Sequence, residues 1–230
     1  RIFGIDDRES IKEFSVSDVY VPSGTNEIQV SGRHSLKKGD RVFIHRPSTQ
    51  EWIDDLSTGS FGGETGWLGW KPGERDIVWD RTVTEVEGNT IRLDVPLTTA
   101  LDPAFGGGKV ISYTWDGRIR NIGIENLKLA SAYDTGNPKD ESHCWMAITM
   151  ESVEDAWVRQ VEFSHFAGSA VAVYETARRV TVEDCISIDP VSEVGGQRRQ
   201  TFFIMGQQCL FQRLYAENGR HDFAAGFCAA

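Results

Sequence analysis

Four segments in the second half of the chain repeat one pattern: an apolar residue, two polar or charged residues, then a second apolar residue. They are Ile124-Glu125-Asn126-Leu127, Val158-Arg159-Gln160-Val161, Val182-Glu183-Asp184-Cys185 and Phe211-Gln212-Arg213-Leu214. Their first residues lie 34, 24 and 29 positions apart, a spacing that suits successive turns of a parallel β-solenoid whose loops vary in length. A second apolar strand recurs in each copy, at Met146–Met150, Ala170–Tyr174, Thr201–Met205 and Phe223–Phe227. Between the two strands lie the loops Ala130–Trp145, Ser164–Ser169, Asp189–Gln200 and Glu217–Asp222. Stacking coils at about 4.8 Å stacks these loops along one edge.

The first half is patterned differently. Short alternating segments at Asp18–Pro22, Glu27–Val30, Arg41–His45, Thr82–Val86, Thr90–Val95 and Val110–Tyr113 are separated by turn signals such as Lys38-Gly39-Asp40 and Glu87-Gly88-Asn89. They predict a small antiparallel barrel or sandwich packed on the N-terminal end of the solenoid, with residues 1–13 as a first strand or leading arm. The predicted fold class is therefore all-β: a right-handed parallel β-helix over residues 117–230, of at least four coils, preceded by a β-rich unit over residues 1–116. A long insertion at 47–80 interrupts that unit and holds Trp52, Trp67, Trp70 and Trp79, four of the seven tryptophans, among glycines. Such a loop is either pinned to the body by its aromatics or offers flat faces to sugar rings, and Trp67 and Trp70 are the candidate platforms. Gly106-Gly107-Gly108 precedes a strand, which makes it a turn and not a phosphate cradle.

The loops also carry the candidate chemistry. Three of five histidines, His143, His165 and His221, fall in them, with Lys139, Asp140, Glu141, Glu193, Arg198, Arg199, Glu217, Arg220 and Asp222. Solvation alone accounts for charge in loops, but it favours Lys and Glu over histidine. The net charge of −10 argues against a broad nucleic-acid surface, and no apolar run reaches the roughly 20 residues of a membrane span. The four cysteines have no metal-ligand spacing and are expected as free buried thiols, with Cys185 as a small buried hydrophobe in the repeat. The chain starts at Arg1 without a leader, so a signal peptide is expected to be removed or never present. Its C-terminal strand is apolar and uncapped, which predicts a missing segment or self-association at the last coil.

The coils Asn121–Leu127 and Arg179–Cys185 resemble those of right-handed parallel β-helix proteins of the pectate-lyase-like superfamily. The segment Gly219-Arg220-His221-Asp222-Phe223 is similar to one in poorly characterised secreted members of that group. The resemblance covers residues 117–230 and implies a secreted, periplasmic or cell-surface protein that binds an extended polysaccharide or oligosaccharide along its stacked strands. The Asn-Thr-Asp, Asp-Asp and Gly-His-Gly series of polygalacturonase-like hydrolases is missing, as is the aspartate cluster of calcium-dependent pectate lyases. Three readings follow. In a lyase acting on an acidic polysaccharide by β-elimination, the preferred one, His221 is the base, Arg220 and Arg199 clamp the substrate carboxylate, and Asp222 or Glu217 orients the imidazole or binds a cation. In a glycoside hydrolase, Glu193 and Asp222 form the carboxyl pair. In a non-catalytic solenoid the same edge binds glycan only. Lys139, His143, His165, Arg198 and Glu217 are candidate substrate contacts in each case. Ca²⁺ is compatible with the oxygen ligands in the loops, although no dedicated calcium-loop spacing occurs.

Overall fold

A computed structural model describes residues 1–62 and 68–226. The chain forms two compact units, one from Arg8–Trp115 and the other from Arg1–Asp7 together with the chain from Asp116 onward. The first strand, β1 (Ile2–Phe3), belongs to the second of these units.

The unit over residues 8–115 contains β2 (Glu9–Ser15), β3 (Glu27–Gln29), β4 (Arg41–Arg46), a short helix α1 (Gln50–Asp55), β5 (Ile77–Glu87), β6 (Thr90–Leu93) and β7 (Lys109–Thr114). The strands pair antiparallel in the order β2-β7-β4-β5-β6-β3. A bridge between Val16 and Val30, flanked by Ser17 N–H to Gln29 O at 2.9 Å and Ser31 N–H to Ser15 O at 2.8 Å, joins the two outer strands. The sheet thereby closes into a barrel, which removes its edges. Alternation does the filling: β4 buries Val42, Ile44 and Arg46, and the first two meet Ile28, Trp79, Val83, Ile91 and Leu93 in one core. The segment Asp18–Pro22, predicted as a strand, is not one. Only Val21 bridges, to Leu101, and Val19 faces solvent, because Pro22 withholds a ladder donor.

The insertion is pinned at several points. Thr49 caps α1 by accepting from Trp52 N–H at 3.3 Å, and the Asp76 carboxylate accepts from the Ser48 amide at 2.7 Å and from its hydroxyl at 2.8 Å. Trp79 is buried in the barrel core with its indole N–H on Thr98 at 2.9 Å.

The solenoid unit follows with β8 (Ile119–Ala130), β9 (Met146–Glu151), β10 (Val153–Ser164), β11 (Ser169–Val173), β12 (Arg178–Glu183), β13 (Ile186–Ile188), β14 (Gln200–Ile204), β15 (Leu210–Gln212), β16 (Tyr215–Ala216) and β17 (His221–Ala225). All pairings in it are parallel. One sheet runs β1-β9-β11-β14-β17; the other stacks β8, β10, β12 with β13, and β15 with β16. The register places Ile124, Val158, Val182 and Phe211 directly over one another, as the repeat predicts. Between the sheets, Val158, Val161, Phe163, Val180, Val182 and Cys185 pack against Ile148, Met150, Val171, Val173 and Phe202. Each such side chain, fully buried, contributes about 1.5–3 kcal/mol. Leu127, in the first coil with a stacking neighbour on one side, stays 43% exposed.

The repeat has a conformational cause. In a plain strand, residues three apart face opposite sides, so Val158 and Val161 both reach the core only if the alternation is reset between them. Left-handed residues do this, and they form ladders up the stack: Asn121, Asp155, Arg179 and Gln208; then Asn126, Gln160, Asp184 and Arg213 five positions later; then His165, Asp189 and Asn218 five further on, all with φ between 50° and 69°. Asn and Asp tolerate this region best, and the others carry a cost of about 1–2 kcal/mol each. Arginines lace the ladders: Arg179 grips Asp155 at 2.6 and 2.8 Å, and Arg213 grips Asp184 at 2.6 and 2.9 Å.

Residues 1–7, expected in the front unit, instead open the first coil. Ile2 pairs with Met150 and Phe3 with Glu151, Gly4 N–H donates to Glu151 O at 3.0 Å, and Ile5 N–H donates to Gly117 O at 2.9 Å. In chain order the barrel is thus inserted between the first and second strands of the solenoid. Gly4 makes the junction possible, since a Cβ there would lie 2.4 Å from the Gly117 carbonyl.

Candidate functional site

The loops predicted to carry chemistry do stack, but their charges are turned on one another. His143 Nε2 lies 3.1 Å from Asp140 O and 3.0 Å from Val191 O, which places its proton there, while Nδ1 accepts from the Ser131 hydroxyl at 2.8 Å. Glu141 holds Arg198 by two hydrogen bonds, one at 2.7 Å, and accepts from the Glu193 amide at 3.1 Å. The Arg198 guanidinium holds the Glu141 carboxyl below the usual carboxylate range, and Lys139 pairs with Glu193 at 3.0 Å. Arg199 spends all three nitrogens on protein acceptors: Nε on Ser192 Oγ at 3.1 Å, Nη1 on Asn218 O at 3.0 Å and Nη2 on Ser192 O at 2.6 Å. Arg220 donates to Gly196 O, Glu217 accepts from Tyr215 O–H at 3.0 Å, and His165 lies against Tyr133 at 4.9 Å between ring centroids.

His221 and Asp222, expected in a loop, are the first residues of β17. Successive strand residues face opposite sides, so Asp222 does not orient the His221 imidazole; its carboxylate accepts from Thr201 at 3.2 Å. His221 is exposed and stacks in register under Gln200. Trp70 packs on Trp52 at 5.5 Å with Arg75 at 5.8 Å from its ring, Arg46 covers Trp52 at 4.2 Å, and Trp67 lies outside the described residues. Cys185 is buried and free, as expected; Cys144, expected to be buried, is free and exposed, Cys209 is free and half-buried, and Cys228 lies outside the described residues. Among the described residues no three His, Cys, Asp or Glu side chains converge as a metal site, and no helix is long and apolar enough to cross a membrane.

A second feature was not foreseen. Ile148 and Met150 face the core, so Thr149 between them faces outward, and the register continues this position through Ala172 and Phe203. Beside Phe203 opens a cleft of ≈ 580 Å³ lined by Met146, Ser169, Tyr174, Glu175, Gln197, Gln200, Phe203 and Met205. Phe203, Met146 and Met205 make it largely apolar, and amides and hydroxyls supply its polar groups. Ser169 Oγ donates to Gln200 O at 2.5 Å, and the Gln200 amide donates to Gln197 Oε1 at 2.9 Å, which orients both glutamines. Burial, then the Glu151 charge, holds the Tyr174 phenol above its usual range, with Arg1 opposing and Glu175 adding to the rise. Tyr174 therefore stays a hydrogen-bond donor through neutral pH. The Thr149 hydroxyl is 9% exposed as a residue and has no hydrogen-bond partner among the described residues, an uncommon state for a buried polar atom.

Half of the cleft's lining, Met146, Ser169, Gln200 and Phe203, lies in strands, and Tyr174, Glu175, Gln197 and Met205 lie within three residues of strand ends. Runs such as Ser169–Val173 and Gln200–Ile204 are apolar on both faces, so outward and inward positions look alike. The signal was that very excess, apolar side chains at the parity that ought to be wet. Another cleft, of ≈ 450 Å³, is bordered by Ile2, Ile124, Leu127, Leu129 and Ile148 and is the open interior of the first coil.

No protein-family model and no curated protein matches the sequence. Among solved structures it is similar to bacteriophage tailspikes. The tailspike of Pseudomonas phage phi297 aligns with a TM-score of 0.50 and 11% identity over 94% of this chain and 33% of that one. The tailspike of Pseudomonas phage LKA1 gives 0.48 and 14% over 97% and 33%. That of Acinetobacter baumannii bacteriophage AP22, solved in complex with A. baumannii capsular saccharide, gives 0.41 and 10% over 90% and 38%. The chain thus spans a third or slightly more of the length of these tailspikes. At such identities the likeness establishes the fold, an all-β protein built on a parallel β-helix, and does not single out the pectate-lyase-like superfamily.

Proposed function

We propose that this chain is a glycan-binding β-helix that holds an extended polysaccharide along the outer face of the β1-β9-β11-β14-β17 sheet. The observation that carries the reading is the cleft at Phe203 and Tyr174: an apolar floor with amide and hydroxyl groups at its margins. Sugar rings offer apolar faces and polar edges, and such sites match both. Five strands at about 4.8 Å present roughly 19 Å of surface, enough for a short run of sugars. The resemblance to pectate-lyase-like coils directs attention to the same kind of surface, the groove along stacked parallel strands.

Cleavage is the finer reading, and the loop edge lends it little support. A β-elimination centre needs a cation that holds the substrate carboxylate; of the two expected clamps Arg199 is held by Ser192 and Asn218, and Arg220 is exposed and donates to the Gly196 carbonyl, while Arg198 is held by Glu141. A hydrolytic pair needs two available carboxyls, whereas Glu193 is paired with Lys139 and Asp222 with Thr201. Binding without cleavage at that edge fits these commitments best.

The test is affinity electrophoresis against a panel of acidic and neutral polysaccharides, with the unsaturated product and new reducing ends followed in parallel. Retardation by at least one glycan, weakened by Tyr174→Ala and Gln200→Ala with the thermal melt unchanged, is expected. Retardation that survives both substitutions refutes the cleft as the site. Unsaturated product that is lost in His221→Ala restores the lyase.

A further inference from the structure

We infer that the cleft selects uncharged sugar chains and discriminates against uronic-acid chains. This deepens the glycan-binding reading and rests on it. Among the described residues eight side chains line the cleft; one is acidic, Glu175, and none is basic. Arg1, which precedes β1, is taken by Glu151 at 2.7 and 3.1 Å while its guanidinium lies 4.9 Å over Phe3. Of the loop cations, Lys139 pairs with Glu193 and Arg198 with Glu141, while Arg199 and Arg220 donate to neutral oxygens of Ser192, Asn218 and Gly196. A bound carboxylate would leave water for a site that offers a carboxylate in return. The rest of the protein adds to the repulsion, with a net charge of −10.

The groups that do line the cleft suit a neutral chain. Gln197 and Gln200 offer both donors and acceptors, Tyr174 and Ser169 offer hydroxyls, and Met146, Phe203 and Met205 accept CH faces or the methyl of an N-acetyl group. The acidic substrate expected from the loop arginines requires a free guanidinium in place of these amides. Like charges about 6 Å apart at an effective dielectric of about 40, between the surface and bulk-water values, change affinity about tenfold per carboxylate.

The test compares a galacturonate hexamer with its fully methyl-esterified form, which loses the charge and gains a methyl group, beside an N-acetylglucosamine hexamer, by titration calorimetry at low salt. Glu175→Gln separates the charge from the methyl contact. The uncharged probes are expected to bind at least about tenfold more tightly than the free acid. Glu175→Gln is expected to raise affinity for the free acid by about tenfold, and added salt to narrow the gap. Tighter binding of the free acid than of its ester, weakened by Tyr174→Ala, overturns the selectivity while leaving the cleft as the site. Equal affinity of the two forms also overturns it. Binding unaffected by Tyr174→Ala, or no binding to any of the three and none across the wider panel, overturns the glycan reading and the selectivity with it.

Discussion

Replacing Gly123 with alanine places a methyl group inside an indole. A Cβ at this position would lie 2.0 Å from Trp157 Cε2, 2.2 Å from its Nε1 and 2.4 Å from its Cζ2. Carbon atoms rest about 3.5–4.0 Å apart, so the ring has to retreat by about 1.5 Å or the two strands have to part. Gly123 and Trp157 are paired in register on β8 and β10, so parting them strains the ladder on both sides. Retreat breaks the 3.3 Å bond from the indole N–H to Glu125, whose carboxyl is held below its usual range by Arg159 first and by this indole second. Overpacking costs about 1–3 kcal/mol and the lost bond about 1 kcal/mol, while alanine regains about 0.5–1 kcal/mol of backbone entropy relative to glycine. The net loss is about 1–3 kcal/mol, or roughly 3–10 °C in the melting of a chain of this size. The assay is calorimetric melting of four proteins: wild type, Gly123→Ala, Trp157→Ala and the double variant. In the Trp157→Ala background the second substitution is expected to be neutral or stabilising. An equal penalty in both backgrounds, or none in the wild type, refutes the packing argument.

Gln160→Gly is expected to stabilise the protein by about 0.5 kcal/mol, because removing a left-handed penalty of about 1–2 kcal/mol outweighs the roughly 0.5–1 kcal/mol entropy cost of glycine; Gln160→Val is expected to lose more than about 1 kcal/mol. Urea denaturation midpoints decide this, and a ranking with Val above Gly contradicts the left-handed ladder. The carboxyls of Asp155 and Asp184 are held below the usual aspartate range, by hydrogen bonds from Arg179 and Arg213 respectively. A depressed folded value means that their stabilisation is present above the unfolded value near 3.9 and is lost as pH falls through the folded values below it. Melting temperature is therefore expected to fall on acidification below about pH 4, and to fall less in Arg179→Gln, which is already weaker at neutral pH. Parallel acid curves for the two proteins speak against the linkage.

Much of the fold was legible in the chain because a solenoid is close to one-dimensional. The apolar pair around two polar residues marks a bend, and its recurrence at Ile124, Val158, Val182 and Phe211 sets how many coils stack and in what register. Turn residues and alternation likewise announced an antiparallel unit in the first half. Local pattern does not say which distant strand a short segment will join, so it groups β1 with its sequence neighbours, although the partner of Ile2, Met150, lies far along the chain. Nor does it say whether a loop charge is free or answered: Arg199 and Glu193 are candidates for chemistry until their loops are stacked against Ser192, Asn218 and Lys139. The sequence by itself determined the coil, its period and its bends, which follow from steric and hydrophobic preferences a few residues in range. The tertiary structure alone decided the outer cleft and the pairing of the loop charges, because each is assembled from residues on successive coils that meet only through stacking.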